Sequence, residues 1–121
     1  MKKILVVEDE KNLAKILEVK LEKEGYKVFV AQNGQEGFDQ ALLHHPDLIL
    51  LDIIMPVMDG MTMLRQLRED DWGKKVPVIL LTNLNDSESI AEASKKGVYD
   101  YLVKADWKLE DIVEIIDKKL K

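Results

Sequence analysis

The sequence predicts an α/β fold in which a parallel five-stranded sheet carries helices on both faces. Short apolar runs alternate five times with segments whose apolar residues recur at helical spacing, the pattern of repeated strand–helix units. Three runs are apolar throughout, as strands buried on both faces of a parallel sheet are; they cover residues 4–7, 48–51 and 78–81. These three strands are therefore predicted to lie at the centre.

Two further runs contain polar residues and are predicted to form the edges of the sheet. Residues 27–31 begin with Lys27, and residues 98–103 are interrupted by Asp100. The strand order that satisfies this, with right-handed crossovers and one reversal of direction, is 2-1-3-4-5, that of a doubly wound, flavodoxin-like fold. The reversal opens a crevice between the first and third strands, where such sheets bind their ligands.

Local signals place the helices between these strands. The first helix is expected to end at Gly25, the second to begin after Asn33 and to end before Pro46, and the fourth and fifth to start at residues 85–86 and at Asp106. The apolar stripe predicted for the first helix comprises Leu13, Ile16, Leu17 and Leu21.

Composition narrows the range of functions. The chain has 121 residues, 46% of them hydrophobic and 34% charged, a net charge of −5, no basic cluster and no cysteine. We expect one domain over residues 1–121 without an effector domain, no direct nucleic-acid binding, and neither disulfides nor thiolate metal sites. The apolar stretch at the amino terminus is too short for a membrane segment or signal peptide, so a cytoplasmic location is expected.

Chemically active side chains follow four of the five strands. Glu8 and Asp9 follow the first strand, Asp52 the third, Thr82 the fourth and Lys104 the fifth. Parallel strands bring these ends to one rim, where two carboxylates ~5 Å apart repel by about 3 kcal/mol at an effective dielectric of 20. Clustered carboxylates commonly hold a hard cation such as Mg²⁺. An aspartate beside Mg²⁺, with a lysine and a hydroxyl near it, is equipped to attack a phosphoryl group.

These residues resemble the receiver domain of two-component response regulators, including the single-domain receivers of chemotaxis and sporulation. The resemblance covers the whole chain, and its motifs agree in residue type, order and spacing. They are the pair Glu8-Asp9, Asp52 at 43 positions after Asp9, the segment Asp-x-x-Met-Pro-x-Met-Asp-Gly at residues 52–60, Thr82 at 30 positions after Asp52, and Tyr101 three positions before Lys104.

The resemblance implies a phosphorylation switch rather than an enzyme that turns over an external substrate. A sensor histidine kinase or a histidine phosphotransfer protein would transfer a phosphoryl group from phosphohistidine to Asp52. Mg²⁺ or Mn²⁺ would be held by Asp9, Asp52 and the backbone carbonyl of Ile54, with Glu8 acting largely through water.

The resemblance also implies a route to an output. Lys104 would pair with the phosphate, Thr82 would move its hydroxyl onto it, and Tyr101 would rotate inward. The face formed by the fourth helix, fifth strand and fifth helix would then change and contact an output partner, a fused effector domain or a second copy of the chain. Residues 87–96 have few large apolar side chains, which suits a segment that moves.

Two positions depart from the family pattern. Ala105 follows Lys104 where the family usually has a proline after a cis bond, and Asn83 follows Thr82 where a small residue is usual. Since a non-proline cis bond costs about 2.5–4 kcal/mol, we expect a trans bond here and a displaced Lys104. Asn83 is expected to crowd the phosphate or restrict Thr82.

Three alternatives to a receiver domain agree less well with the sequence. A haloacid dehalogenase-like phosphatase needs Asp-x-Asp after the first strand, but Glu10 and Lys11 follow Asp9. A flavodoxin-like flavin binder needs a phosphate cradle rich in Ser and Thr where this chain has acids. A pseudo-receiver used only for protein binding is disfavoured by the intact set of acids.

Overall fold

The computed structural model describes residues 1–82, 87–98, 100–104 and 108–120, and it confirms the predicted fold class. Strands and helices alternate along the chain. They are β1 (Lys3–Val7), α1 (Lys11–Lys23), β2 (Lys27–Ala31), α2 (Gly34–His44), β3 (Leu48–Asp52), α3 (Gly60–Glu69), β4 (Val78–Thr82), α4 (Ser87–Lys95), β5 (Asp100–Val103) and α5 (Leu109–Leu120).

The five strands form one parallel sheet in the order β2-β1-β3-β4-β5, as predicted. The pairing register places Val7 opposite Leu51 and Asp52 opposite Leu81. Because the strands are parallel and closely in register, their carboxyl ends lie side by side at one edge of the sheet.

The core consists of one apolar cluster on each face of the sheet. Alternate residues of a strand point to opposite faces, so Leu5 and Val7 belong to one cluster and Ile4 and Val6 to the other. The first cluster also contains buried residues of α2, α3 and α4, and the second contains those of α1 and α5. All residues of β3 and β4 are buried, as expected for central strands.

Most helix boundaries agree with the sequence signals, but part of the predicted packing was wrong. Gly25 follows α1 with φ of +94°, and Asn33 caps α2 through its side chain. Ile16 was assigned to the core stripe of α1, yet it is 49% exposed. The buried residues of α1 are Ala14, Leu17 and Leu21, whose spacing defines a stripe that Ile16 lies beside.

Four predictions fall on residues outside the described ranges: the helix starts at residues 85–86 and at Asp106, and the surroundings of Asn83 and Ala105. Across the described part of the chain, every helix is too short or too polar to cross a lipid bilayer.

Candidate functional site: an acidic pocket at the carboxyl edge of the sheet

Three carboxylates meet where β1 and β3 end. Glu8 is fully buried, Asp52 is 3% exposed, and Asp9 is exposed to solvent. One carboxylate oxygen of each residue lies within 4.8 Å of the other two. The structure thus brings together the three acids that the sequence placed at this rim, with two of them buried.

Lys104 supplies the positive charge of this pocket. Its side chain is only 9% exposed, and its Nζ atom lies 3.3 Å from Asp52 Oδ2 and forms a second ion pair with Glu8 Oε1. The Lys104 backbone N–H donates a 2.6 Å hydrogen bond to the carbonyl of Thr82. This bond continues the pairing of β4 with β5 and holds the lysine against the neighbouring strand.

Both oxygens of the buried Glu8 carboxylate have a partner in the pocket. Its Oε2 atom accepts a 3.0 Å hydrogen bond from the backbone N–H of Glu10. Its buried Oε1 atom forms the ion pair with the Lys104 ammonium. The three carboxylates together form an all-oxygen donor set, which fits a hard ion such as Mg²⁺.

Burial and charge together alter the acid–base behaviour of the pocket. Burial raises the pKa of Asp52 from 3.8 to about 7, and the neighbouring charge of Glu8 adds to this while Lys104 opposes it. Burial by itself lowers the pKa of Lys104, but its contacts with Glu8 and Asp52 outweigh burial and leave that pKa above its usual value. Lys104 therefore stays charged at neutral pH, and a cation beside Asp52 would favour its ionised form.

The loop after β3 shapes the pocket through a glycine to which sequence reasoning gave no role. The Gly60 N–H donates a 2.8 Å hydrogen bond to the carbonyl of Ile53. A Cβ atom at Gly60 would lie 2.1 Å from the backbone oxygen of Asp52. Asp59 caps α3 by accepting a 2.8 Å hydrogen bond from the N–H of Thr62. The Asp59-Gly60 pair at the start of α3 is the sequence signal that could have indicated this close approach.

The same loop contains a strained residue. Val57 has φ of +68° and is 84% exposed, and the Met58 N–H donates a 2.7 Å hydrogen bond to the carbonyl of Pro56 across it. This is a γ-turn with positive φ, an unfavourable conformation for a β-branched residue. The side chain of Ile54 is 60% exposed, so any contribution of Ile54 to the pocket comes from its backbone.

The two predicted switch residues occupy different surroundings. Thr82 is 2% exposed at the end of β4, beside the pocket. Tyr101 is 44% exposed on β5, opposite Leu80, and lines a groove next to α4. The structure thus places Thr82 at the rim and Tyr101 outside it.

A sheet in the order 2-1-3-4-5 with an acidic pocket and a buried lysine at its carboxyl edge defines a class of doubly wound α/β signalling domains. The family model described as the response regulator receiver domain matches residues 4–117. The chain belongs to this family, and it is the receiver domain of a two-component response regulator.

Similar proteins of known sequence or structure agree with this assignment. The response regulator ArlR of Staphylococcus aureus is 39% identical over 104 residues, which cover 86% of this chain and 46% of ArlR. The chain thus spans about half the length of the curated relatives that it matches. The receiver domain of Francisella response regulator 1452 is 30% identical with a TM-score of 0.88, covering 98% of this chain and 96% of that one. Chemotaxis protein CheY4 of Vibrio cholerae is 28% identical with a TM-score of 0.90, covering 99% of both chains.

Proposed function

We propose that Asp52 accepts a phosphoryl group from the phosphohistidine of a sensor histidine kinase or a histidine phosphotransfer protein. The observation that carries this proposal is the position of the Asp52 carboxylate. It is buried at the rim, lies 3.3 Å from the Lys104 ammonium, and shares a pocket with Glu8 and Asp9. An attacking oxygen, a positive charge and oxygen ligands for a cation are thus all within reach of one incoming phosphoryl group.

In the proposed step, an Asp52 carboxylate oxygen attacks the phosphorus atom. A P–O bond forms, the P–N bond to the donor histidine breaks, and the neutral imidazole leaves after taking up a proton. Lys104 offsets the negative charge on the phosphoryl oxygens, and the Thr82 hydroxyl donates a hydrogen bond to one of them. Water later attacks the acyl phosphate and returns Asp52 and inorganic phosphate.

The proposed ligands for Mg²⁺ or Mn²⁺ are Asp9, Asp52 and the Ile54 carbonyl, with Glu8 acting through water. When bound, the ion supplies positive charge that balances the carboxylates and stabilises the transferring phosphoryl group. The donor set supports this proposal because it consists of oxygen atoms alone, and the carboxylates of Glu8 and Asp52 are buried.

The proposed output is a change in the surface formed by α4, β5 and α5. Movement of Thr82 toward the phosphate would leave room beneath Tyr101, which would rotate from its exposed position into that space. The altered surface would contact an output partner, a fused effector domain or a second copy of the chain. The domain that carries the switch is proposed to be residues 1–121.

Intact-mass spectrometry with acetyl phosphate and Mg²⁺ tests the proposal. We expect the wild-type chain to gain one phosphoryl group and Asp52→Asn to gain none. The matched control is Asp71→Asn, because the Asp71 side chain is fully exposed and distant in sequence from the pocket. Equal labelling of Asp52→Asn and wild type would refute the assignment of the acceptor. No labelling of the wild type would favour a protein-binding module that is not phosphorylated.

A further inference from the structure

Helix α4 is held to the domain by little apolar packing. Ala93 is its buried residue, and Ile90 is half-buried. On the side facing β5 there is an open groove of about 530 Å³, lined by Ser87, Ile90, Ala91, Ser94 and Tyr101. Since burial of one methyl-sized side chain stabilises weakly, polar contacts must contribute to the position of this helix.

The first polar contact joins the middle of α3 to α4. Arg65 donates two hydrogen bonds to the Glu92 carboxylate, from Nε at 2.5 Å and from Nη2 at 2.8 Å. The side chains are 49% and 32% exposed. The two parallel bonds fix the relative orientation of guanidinium and carboxylate, which a single contact would not do.

The second contact lies one helical turn further along α3. Half-buried Arg68 donates a 2.8 Å hydrogen bond from Nε to the carbonyl of Lys96, which directly follows α4. Its Nη1 atom donates to the carbonyls of Gly73 at 2.7 Å and Val76 at 2.9 Å. Arg68 therefore attaches the end of α4 to a loop that leads into the central strand β4.

We propose that Arg65, Arg68 and Glu92 form a clamp that sets the resting position of α4 and thereby the ease of switching. Arg68 is the fixed attachment at the carboxyl end of the helix. The more exposed Arg65–Glu92 pair is the part that opens when the amino-terminal end of α4 moves toward the groove. An interaction present in only one of two conformations shifts their populations by its own free energy.

The variants that test the clamp are Arg65→Gln, Glu92→Gln, the double variant, and the charge reversal Arg65→Glu with Glu92→Arg. Arg68 is left intact because its bonds to the 73–76 loop make it part of the fold. Lys74→Gln is the matched control, since it removes another exposed ion pair, at 3.4 Å from Asp71, that does not touch α4.

The first measurement is titration with beryllofluoride and Mg²⁺, followed through the backbone amide signal of Tyr101. We expect each single variant to raise the apparent affinity about two- to fivefold, the range for a partly exposed ion pair. The double variant should show no further gain, and the charge reversal should return toward wild type. Unchanged or lower affinity, additive effects, or an equal gain in the Lys74→Gln control would overturn the clamp.

The second measurement is hydrogen exchange of the unmodified protein, which does not depend on phosphorylation. The amides of residues 93–95 should exchange faster in both single variants, while those of α1 remain unchanged. The titration rests on the proposed function, so an unchanged Tyr101 signal in the wild-type chain on addition of beryllofluoride would count against that function. Hydrogen exchange would then be the test of the clamp. Faster exchange at residues 93–95 in the single variants than in wild type supports the clamp, and unchanged exchange refutes it.

Discussion

Replacing Asp52 by asparagine should stabilise the fold in the absence of metal. The Asp52 pKa rises from 3.8 to about 7 in the folded chain. A shift of about 3 pKa units corresponds to an upper limit of about 4 kcal/mol of folded-state penalty for the ionised form. The amide keeps the shape of the carboxylate but remains a buried polar group, so we expect a gain of about 1–3 kcal/mol at pH 8.

The sign of the pH dependence follows from the direction of the shift. A carboxyl group with a raised folded-state pKa takes up a proton more readily when folded. Its destabilising effect is therefore absent below about pH 4, grows as the pH rises, and is complete above about pH 7. The advantage of Asp52→Asn over wild type should consequently be large at pH 8 and smaller at pH 5.

Urea unfolding followed by circular dichroism, with EDTA present, measures this difference. Asp71→Asn is again the control and should change the free energy of unfolding by less than about 0.5 kcal/mol at both pH values. If Asp52→Asn were no more stable than wild type at pH 8, or if its advantage were independent of pH, the electrostatic account of the pocket would be wrong.

Three further outcomes are expected from unfolding experiments. Mg²⁺ should raise the free energy of unfolding of the wild type by about 2.7 kcal/mol at 100 times its dissociation constant, and this gain should be lost in Asp52→Asn. Gly60→Ala should lower the free energy of unfolding by about 1–3 kcal/mol and slow labelling by acetyl phosphate, because its Cβ would lie 2.1 Å from the backbone oxygen of Asp52. The control Glu69→Ala, at an exposed position of the same helix, should change neither the stability nor the labelling. Val57→Gly should stabilise by about 0.5–2 kcal/mol because it relieves positive φ. The control is Ile54→Gly, which should lower the free energy of unfolding because Ile54 does not have a positive φ. A stabilised Ile54→Gly variant together with a destabilised Val57→Gly variant would contradict the strain assigned to Val57.

The fold and the membership of the pocket could be predicted because both depend on strand patterns. Uniformly apolar strands have to be central, and residues that follow parallel strands have to share an edge. Asp52 and Glu8 meet for that reason alone. The same argument holds for Lys104, whose backbone continues the β4–β5 pairing.

Contacts that depend on exact placement could not be predicted in this way. The approach of Gly60 to the Asp52 backbone depends on the path of a whole loop. The positive φ of Val57 could not be predicted because β-branched residues normally avoid that conformation. Ile16 was misplaced because helical spacing alone does not show which of two neighbouring stripes faces the sheet. The Arg65–Glu92 pair joins residues 27 positions apart on two helices, beyond the reach of local patterns.

The two separate cores have a consequence for any molecule that binds beside β5. The buried residue of α4 belongs to the cluster on one face of the sheet, whereas Ile112 and Ile116 of α5 belong to the cluster on the other. These helices therefore rest on layers that do not share side chains, with the edge strand between them. A molecule that binds along that edge contacts both helices at once. A tilt of α4 alone would therefore change the surface that this molecule contacts, without any repacking beneath α5.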